Sequence, residues 1–281
     1  MSEQKAAPAA APGQDSNLST RVVAALVLAP VTIVCAYVGG WLWIALVTVA
    51  AIGLFVEWLM VAGMARVVRL IASGAAALIF AGIFLAIGWI AAAASLLGLG
   101  LVVVALLAPQ RRAWSGAGFL YAGAAQMSSV LVRLDRVEGF VALTLILLVV
   151  WVTDIGGYFA GRNVGGPKLW PRVSPNKTWA GAIGGFVGSL MVATIFAAFG
   201  FGKVWPMLLV GAALSIASQL GDLFESAVKR HFGVKDSSHI IPGHGGLMDR
   251  LDGFIAAIVL AAIFGLLRGG PDGVGRALMV W

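Results

Sequence analysis

Asp222, Glu225, Ser226, Lys229 and Arg230 close the stretch "MLLVGAALSIASQLGDLFESAVKR", with Ser215, Ser218 and Gln219 just upstream. Their three- and four-residue steps gather the polar groups into one stripe if the stretch is helical. Carboxylates and cations so placed can pair with one another among lipid headgroups, or they can face a cavity and hold a charged substrate. A carboxylate at the centre of a membrane span costs roughly 2.5–3.5 kcal/mol, so such groups usually mark a cavity. The stripe also runs directly into "HFGVKDSSHIIPGHGGLMDRLD", where the polar chemistry continues. All three histidines of the chain (His231, His239, His244) lie between Ser226 and Asp252.

In that second segment Pro242, Gly243, Gly245 and Gly246 make a tight turn whose exposed backbone can approach an anion closely. Asp249 and Asp252 follow at i and i+3, a spacing suited to a divalent cation. Carboxylate oxygens without cysteine ligands point to Mg²⁺, which takes one or two carboxylates plus phosphate oxygens. Asp249 has a second reading, as a charge complementing the helix dipole. Lys229, Arg230, Lys235 and Arg250 surround these acids, a density that reads as metal plus polyphosphate. His244 suits a phosphate contact or a turn-stabilising hydrogen bond equally well.

An earlier loop, "TDIGGYFAGRNVGGPKLWPRVSPNKTWAGAIGG", carries Asp154 beside Gly156 and Gly157. Ser174 to Thr178 read as the opening of a helix, with Ser174 or Asn176 as its cap. A helix N-terminus bearing Lys177 is an anion site in principle. No Walker glycine frame precedes Lys177, and a glycine-rich helix can equally be packing closely on its neighbour.

The elements that position these loops are membrane helices. The 281 residues are 60% hydrophobic and 11% charged, with a mean hydropathy of +0.98. Apolar runs of about 20 residues cross a ~30 Å hydrocarbon core, and in lipid they must be helical to satisfy their backbone. Such runs fall near 21–38, 40–63, 68–88, 90–108, 115–133, 140–160, 179–200, 205–224 and 252–267. The fold class expected is all-α: a polytopic transmembrane helical bundle of about nine spans. It divides into a disordered tail (1–20), N-terminal transmembrane helices (21–135), a C-terminal catalytic region (136–268) and a C-terminal tail (269–281). A cleaved signal peptide is the alternative for 21–38.

With the N-terminus in the cytoplasm, 14 of the 19 Lys and Arg fall inside and five outside, as the positive-inside rule requires. The short "GFGKVWP" turn places the loops at 161–178 and 225–251 on one, cytoplasmic, face. The net charge of +7 suits anionic lipid headgroups, and no nucleic-acid partner is expected. The single cysteine, Cys35, excludes an intrachain disulfide and a cysteine-built zinc site.

The 27-residue stretch "SAVKRHFGVKDSSHIIPGHGGLMDRLD" closely resembles the signature of phosphatidate cytidylyltransferases, the CDP-diacylglycerol synthases. It carries Ser, Lys-Arg, Lys-Asp, Pro-Gly-His-Gly-Gly and Asp-Arg-x-Asp in order; "SPNKTWAG" and "DIGGYFAGR" are also similar to the family's. The resemblance is strong over roughly residues 150–255. It implies a bacterial inner-membrane enzyme, dimeric in the family, that joins CTP and phosphatidic acid into CDP-diacylglycerol and pyrophosphate with Mg²⁺. The family's metal-binding aspartates match Asp222 and Asp249. Lys229, Arg230, Lys235 and Arg250 are then expected to clamp phosphates. Ser226, Lys177 and Ser174 line the site with the Gly245–Gly246 backbone, and Asp252, Asp236 and His244 are further candidates. One departure is Ala180, where relatives commonly carry Glu.

Three rivals come from the same features. Polar helices at membrane depth also mark transporters, but no two-fold repeat is visible, since Glu57 is the lone acid among residues 21–134. The others are a membrane-embedded kinase of polyprenol or phytol and a cytidylyltransferase of another lipid phosphate.

Overall fold

The computed structural model describes residues 30–64, 67–238 and 245–281. The expected tail at 1–20 and the turn residues Pro242, Gly243 and His244 lie outside the described residues. Helical residues 30–38 (α1) lead into α2 (Gly40–Val61), α3 (Val68–Ala86), α4 (Ile90–Leu107), α5 (Arg112–Leu134) and α6 (Gly139–Asn163). A two-stranded hairpin follows, β1 (Lys168–Trp170) and β2 (Ser174–Thr178). The chain ends with α7 (Trp179–Ala198), α8 (Val204–His231), α9 (Met248–Gly269) and the short α10 (Val274–Met279).

Seven of these helices (α2, α3, α4, α6, α7, α8 and α9) are long and apolar enough to cross a membrane. Their bounds follow the apolar runs within a few residues, with one instructive exception. The eighth apolar run stops near residue 224, yet α8 continues to His231. Its last two turns carry the polar stripe, whose spacing keeps the helical phase after the apolar content fails. Helix α5 is less apolar because it turns polar groups inward: Ser115, Gln126, Ser128 and Ser129 are all buried. Gln126 donates from Nε2 to Thr48 Oγ1 (2.8 Å) and to the Leu78 carbonyl (2.9 Å).

Leu143, Ile146 and Val149 of α6 pack with Leu131 of α5 and Ile258 of α9 in one apolar cluster. Phe55 and Trp58 of α2 pack with Leu78, Phe119 and Ile255 in another. Opposite these cores, Ile183, Val187 and Met191 on α7 and Leu209, Ile216 and Leu220 on α8 are exposed. An apolar belt of that extent needs lipid or protein against it.

Candidate active site

Two close helix crossings build the site. At the first, α6 and α7 meet through glycines: a Cβ added to Gly185 would lie 2.4 Å from the Thr153 carbonyl, and one on Gly181 2.7 Å from that of Gly157. Only backbone fits there, so Asp154 on α6 is drawn against the start of α7. At the second, a Cβ on Gly221 of α8 would lie 2.6 Å from the Asp252 carbonyl of α9. This contact places Asp222, Glu225 and Lys229 beside the first turns of α9.

Between α6 and α7 the chain forms the hairpin, where a loop and early helix start were expected. Lys168 pairs with Thr178 and Trp170 with Ser174, antiparallel. The cap of α7 is therefore Thr178 rather than Ser174 or Asn176; its Oγ1 accepts from Gly181 N at 3.1 Å. A strand alternates its side chains, so Lys177 projects sideways from the sheet instead of standing on a helix end. Its Nζ pairs with Asp222 Oδ2.

That pair lies on a cavity of about 480 Å³ whose wall includes Asp154, Tyr158, Arg162, Asn176, Lys177 and Asp222. The volume is in the range of small-molecule sites, ~300–1,000 Å³. Arg162 Nη1 donates to Tyr158 Oη (2.8 Å) at its rim. Asp222 and Lys177 are each 29% exposed, and among the described residues the second carboxylate oxygen of Asp222 accepts from Ser226 Oγ, at 3.5 Å. Asp252 does not line this cavity; its carbonyl packs against Gly221, next to Asp222 in sequence.

The other expected ligand sits in a closed network. Lys229 Nζ meets Asp249 Oδ1 at 2.6 Å and Glu225 Oε2 at 2.7 Å. Asp249 Oδ2 accepts from Ser237 N (3.0 Å), Ser237 Oγ (3.0 Å) and Gly246 N (3.3 Å). Gly246 is enclosed here, since a Cβ would stand 1.7 Å from Ser237 Oγ. Its role is to let the turn close on Asp249.

The remaining candidates divide by exposure. Ser226 and Ser174 are half-buried, as is Gly245, whose φ of +84° suits glycine. Arg230, Lys235, Asp236 and Arg250 are exposed. Arg230 turns from the stripe to donate to the Val234 carbonyl (3.2 Å). Among the described residues no three Asp, Glu, His or Cys are placed to hold one metal. The available set is hard oxygen: Asp222 Oδ1, engaged only by Ser226 among the described residues, and Asp154 on the same cavity wall. It fits a cation that takes one or two carboxylates and completes its shell with substrate oxygens. Asp249 joins such a set only if Lys229 yields its Oδ1.

Sequence reasoning took Thr178 only as part of a helix opening and Glu57 only as a lone acid, and gave neither its partners. The Glu57 carboxylate is fully buried and accepts four hydrogen bonds from the residues flanking 239–244. The signal was present: a lone acid inside an apolar span has to be explained by what it binds.

Known proteins resemble this chain along most of its length. Residues 19–267 match the pattern of the cytidylyltransferase family. A phosphatidate cytidylyltransferase of Brucella suis is 42% identical over 267 residues, which cover 92% of this chain and 96% of the relative. The phosphatidate cytidylyltransferase of Staphylococcus haemolyticus is 47% identical over 154 residues, 54% of this chain and 55% of its own. That of Staphylococcus epidermidis is 48% identical over 130 residues, 46% and 50% of the two chains. A family pattern spanning nearly every helix, and a relative aligned over almost the full length, leave one assignment: this chain belongs to the cytidylyltransferase family.

Proposed function

We propose that the protein transfers the cytidylyl group of CTP to phosphatidic acid, releasing pyrophosphate and forming CDP-diacylglycerol for phospholipid synthesis. The observation that carries this is the meeting, at one cavity, of the two family-like segments "DIGGYFAGR" and "SPNKTWAG" with Asp222. Lys177 of "SPNKTWAG" joins Asp222, one turn ahead of the Ser226–Asp252 signature, at a wall that also holds Asp154. A phosphate oxygen of phosphatidate attacks the α-phosphorus of CTP. The bond from that phosphorus to the α,β-bridging oxygen breaks, and its electron pair leaves with pyrophosphate. The attacking oxygen is already anionic, so no enzyme nucleophile is needed. The task is to bring anions together and stabilise the leaving charge.

Lys177 is placed to meet phosphate at the cavity wall. Lys229 orients Asp249, and the exposed Arg230, Lys235 and Arg250 guide the polyphosphate from solvent. Asp222 and Asp249 would hold Mg²⁺, with Asp252 and Asp236 near; the ion, when bound, neutralises phosphate charge and polarises the attacked phosphorus. Membrane lipids surround the exposed apolar faces of α7 and α8, giving the lipid substrate a lateral approach.

The wider reading adds α5 and α1 to the seven apolar helices, for nine spans with the N-terminus and the site facing the cytoplasm of a bacterial inner membrane. The chain divides after residue 135 into N-terminal helices and a catalytic region, and it acts as a homodimer. Supplying CTP labelled separately at the α- and γ-phosphates tests the reaction. The α-label should extract with the lipid while the γ-label stays in water as pyrophosphate. A γ-labelled lipid would instead mean phosphorylation, and the phosphate-clamp roles would fall.

A further inference from the structure

Glu57 is the carboxylate that the reaction does not use and the fold does not explain. It sits near the end of α2, and its side chain is fully buried. Among the described residues its four hydrogen bonds come from neutral donors. Oε1 accepts from Ser238 Oγ (2.6 Å) and Leu247 N (2.7 Å); Oε2 accepts from Met248 N (2.6 Å) and Ser237 Oγ (3.2 Å). A charge that merely balanced a neighbour would face a cation. This one faces hydroxyl and backbone donors, which fix direction as well as charge.

The donors come from both sides of one segment. Ser237 and Ser238 precede residues 239–244, and Leu247 and Met248 follow them. Leu247 is the N-cap residue of α9, whose own side chain makes no cap. The first N–H groups of a helix need an acceptor, and here it is supplied from a helix 190 residues away in sequence. Ser237 then links this carboxylate to the next: its Oγ lies 3.2 Å from Glu57 Oε2 and 3.0 Å from Asp249 Oδ2. Gly246 is pinched between them, with a Cβ position 3.0 Å from Glu57 Oε2 and 3.1 Å from Asp249 Oδ2.

We infer that Glu57 is a positioning residue: from the N-terminal helices it ties both ends of the signature loop and the start of α9, and so sets where Asp249 stands. The inference rests on the proposed role of Asp249 in cytidylyl transfer. Glu57 is fully buried and does not line the cavity. Glu57→Gln keeps the size but puts an NH₂ donor against the N–H of either Leu247 or Met248, so one of the two backbone ties is lost.

Hydrogen exchange of the full-length protein in nanodiscs reads this without substrate. In Glu57→Gln, amides 237, 247 and 248 should exchange about 10-fold faster, with α6 and α7 unchanged. The kcat should fall about 10–100-fold, the scale for groups that orient a ligand. KM for CTP should stay within about 3-fold, because the cavity wall at Lys177 is untouched. Glu57→Asp, which keeps the charge but shortens the reach, should fall between the two. Unchanged exchange at those amides, or a kcat within about 2-fold of wild type, overturns the inference. If Glu57→Gln does not insert, Ser238→Ala removes one donor and leaves the carboxylate. Faster exchange at 247 and 248 then supports the tie, and wild-type exchange overturns it. A wild-type protein that moved no α-label into lipid would remove the proposed reaction, whereas wild-type activity with unaltered exchange would remove only Glu57.

Discussion

Lys177–Asp222 and Lys229–Asp249 are the same chemical pair in opposite settings. The first lies on the cavity wall, both partners 29% exposed, and its carboxylate keeps an oxygen with one distant neighbour. The second is 12% and 17% exposed, shares its lysine with the buried Glu225, and spends its other oxygen on three donors. A half-exposed pair contributes at most about 1 kcal/mol and opens readily when a polyphosphate arrives. A pair that is mostly buried, with its carboxylate held by several donors, keeps its place and costs much more to disturb. The difference leaves the Asp222 carboxylate the more open to a ligand and the Asp249 carboxylate the more firmly fixed.

Removing each charge in turn puts the widest gap between the two. Asp222→Asn and Asp249→Asn should each lower turnover by about 100-fold or more, the scale for losing a key electrostatic group. Their stabilities should part. Asp222→Asn frees one lysine at the cavity and should melt like wild type. Asp249→Asn leaves Ser237, Gly246 and Lys229 short of an anion and should lose about 1–3 kcal/mol. Thermal melting in detergent beside the α-label assay measures both. Equal melting of the two variants would erase the distinction, and near wild-type turnover in either would remove that residue from the site.

The lysines give a smaller contrast. Lys229→Met strands Asp249 and the buried Glu225 without a cation; breaking a buried pair costs ~3–5 kcal/mol, and access to solvent puts this one at the low end. Lys177→Met should cost no more than about 1 kcal/mol in stability, though it removes the phosphate contact proposed for it. Adding Glu225→Gln to Lys229→Met should restore most of the lost stability, because the uncompensated buried charge is gone. If the double variant melts no higher than Lys229→Met alone, Glu225 is not the charge that Lys229 neutralises.

These contrasts also show what the sequence can and cannot reveal. The helices were legible because lipid imposes one rule on every span, an unbroken apolar run. The stripe from Ser215 to Lys229 was legible because its period is that of the helix. What periodicity carries no information about is which stripe residues leave it, and Arg230 does. The hairpin was hidden because Lys168–Trp170 and Ser174–Thr178 have five residues or fewer each and no alternating apolar pattern; their pairing comes from the α6–α7 contact that closes the loop. Glu57 was visible as an oddity but its partners were not, since only the folded bundle brings α2 to the start of α9.

The smallest effect falls where the open pair is anchored. Lys177 has no closed network behind it; it is held by the strand before α7 and by the Thr178 cap. Thr178 is buried, and its Oγ1 lies 3.0 Å from where a Cβ on Gly161 would sit, so α6, α7 and the hairpin meet at this hydroxyl. Thr178→Ala should therefore cost about 1 kcal/mol, the usual value of an N-cap, and Thr178→Ser almost nothing. Because Lys177 still pairs with Asp222 when the cap frays, kcat should drop only about 2–5-fold, and KM for CTP should rise by a similar factor as the wall loosens. Loss of activity on the scale of Asp222→Asn would mean that Thr178 touches substrate itself, and the open wall would then be as tightly specified as the closed network across from it.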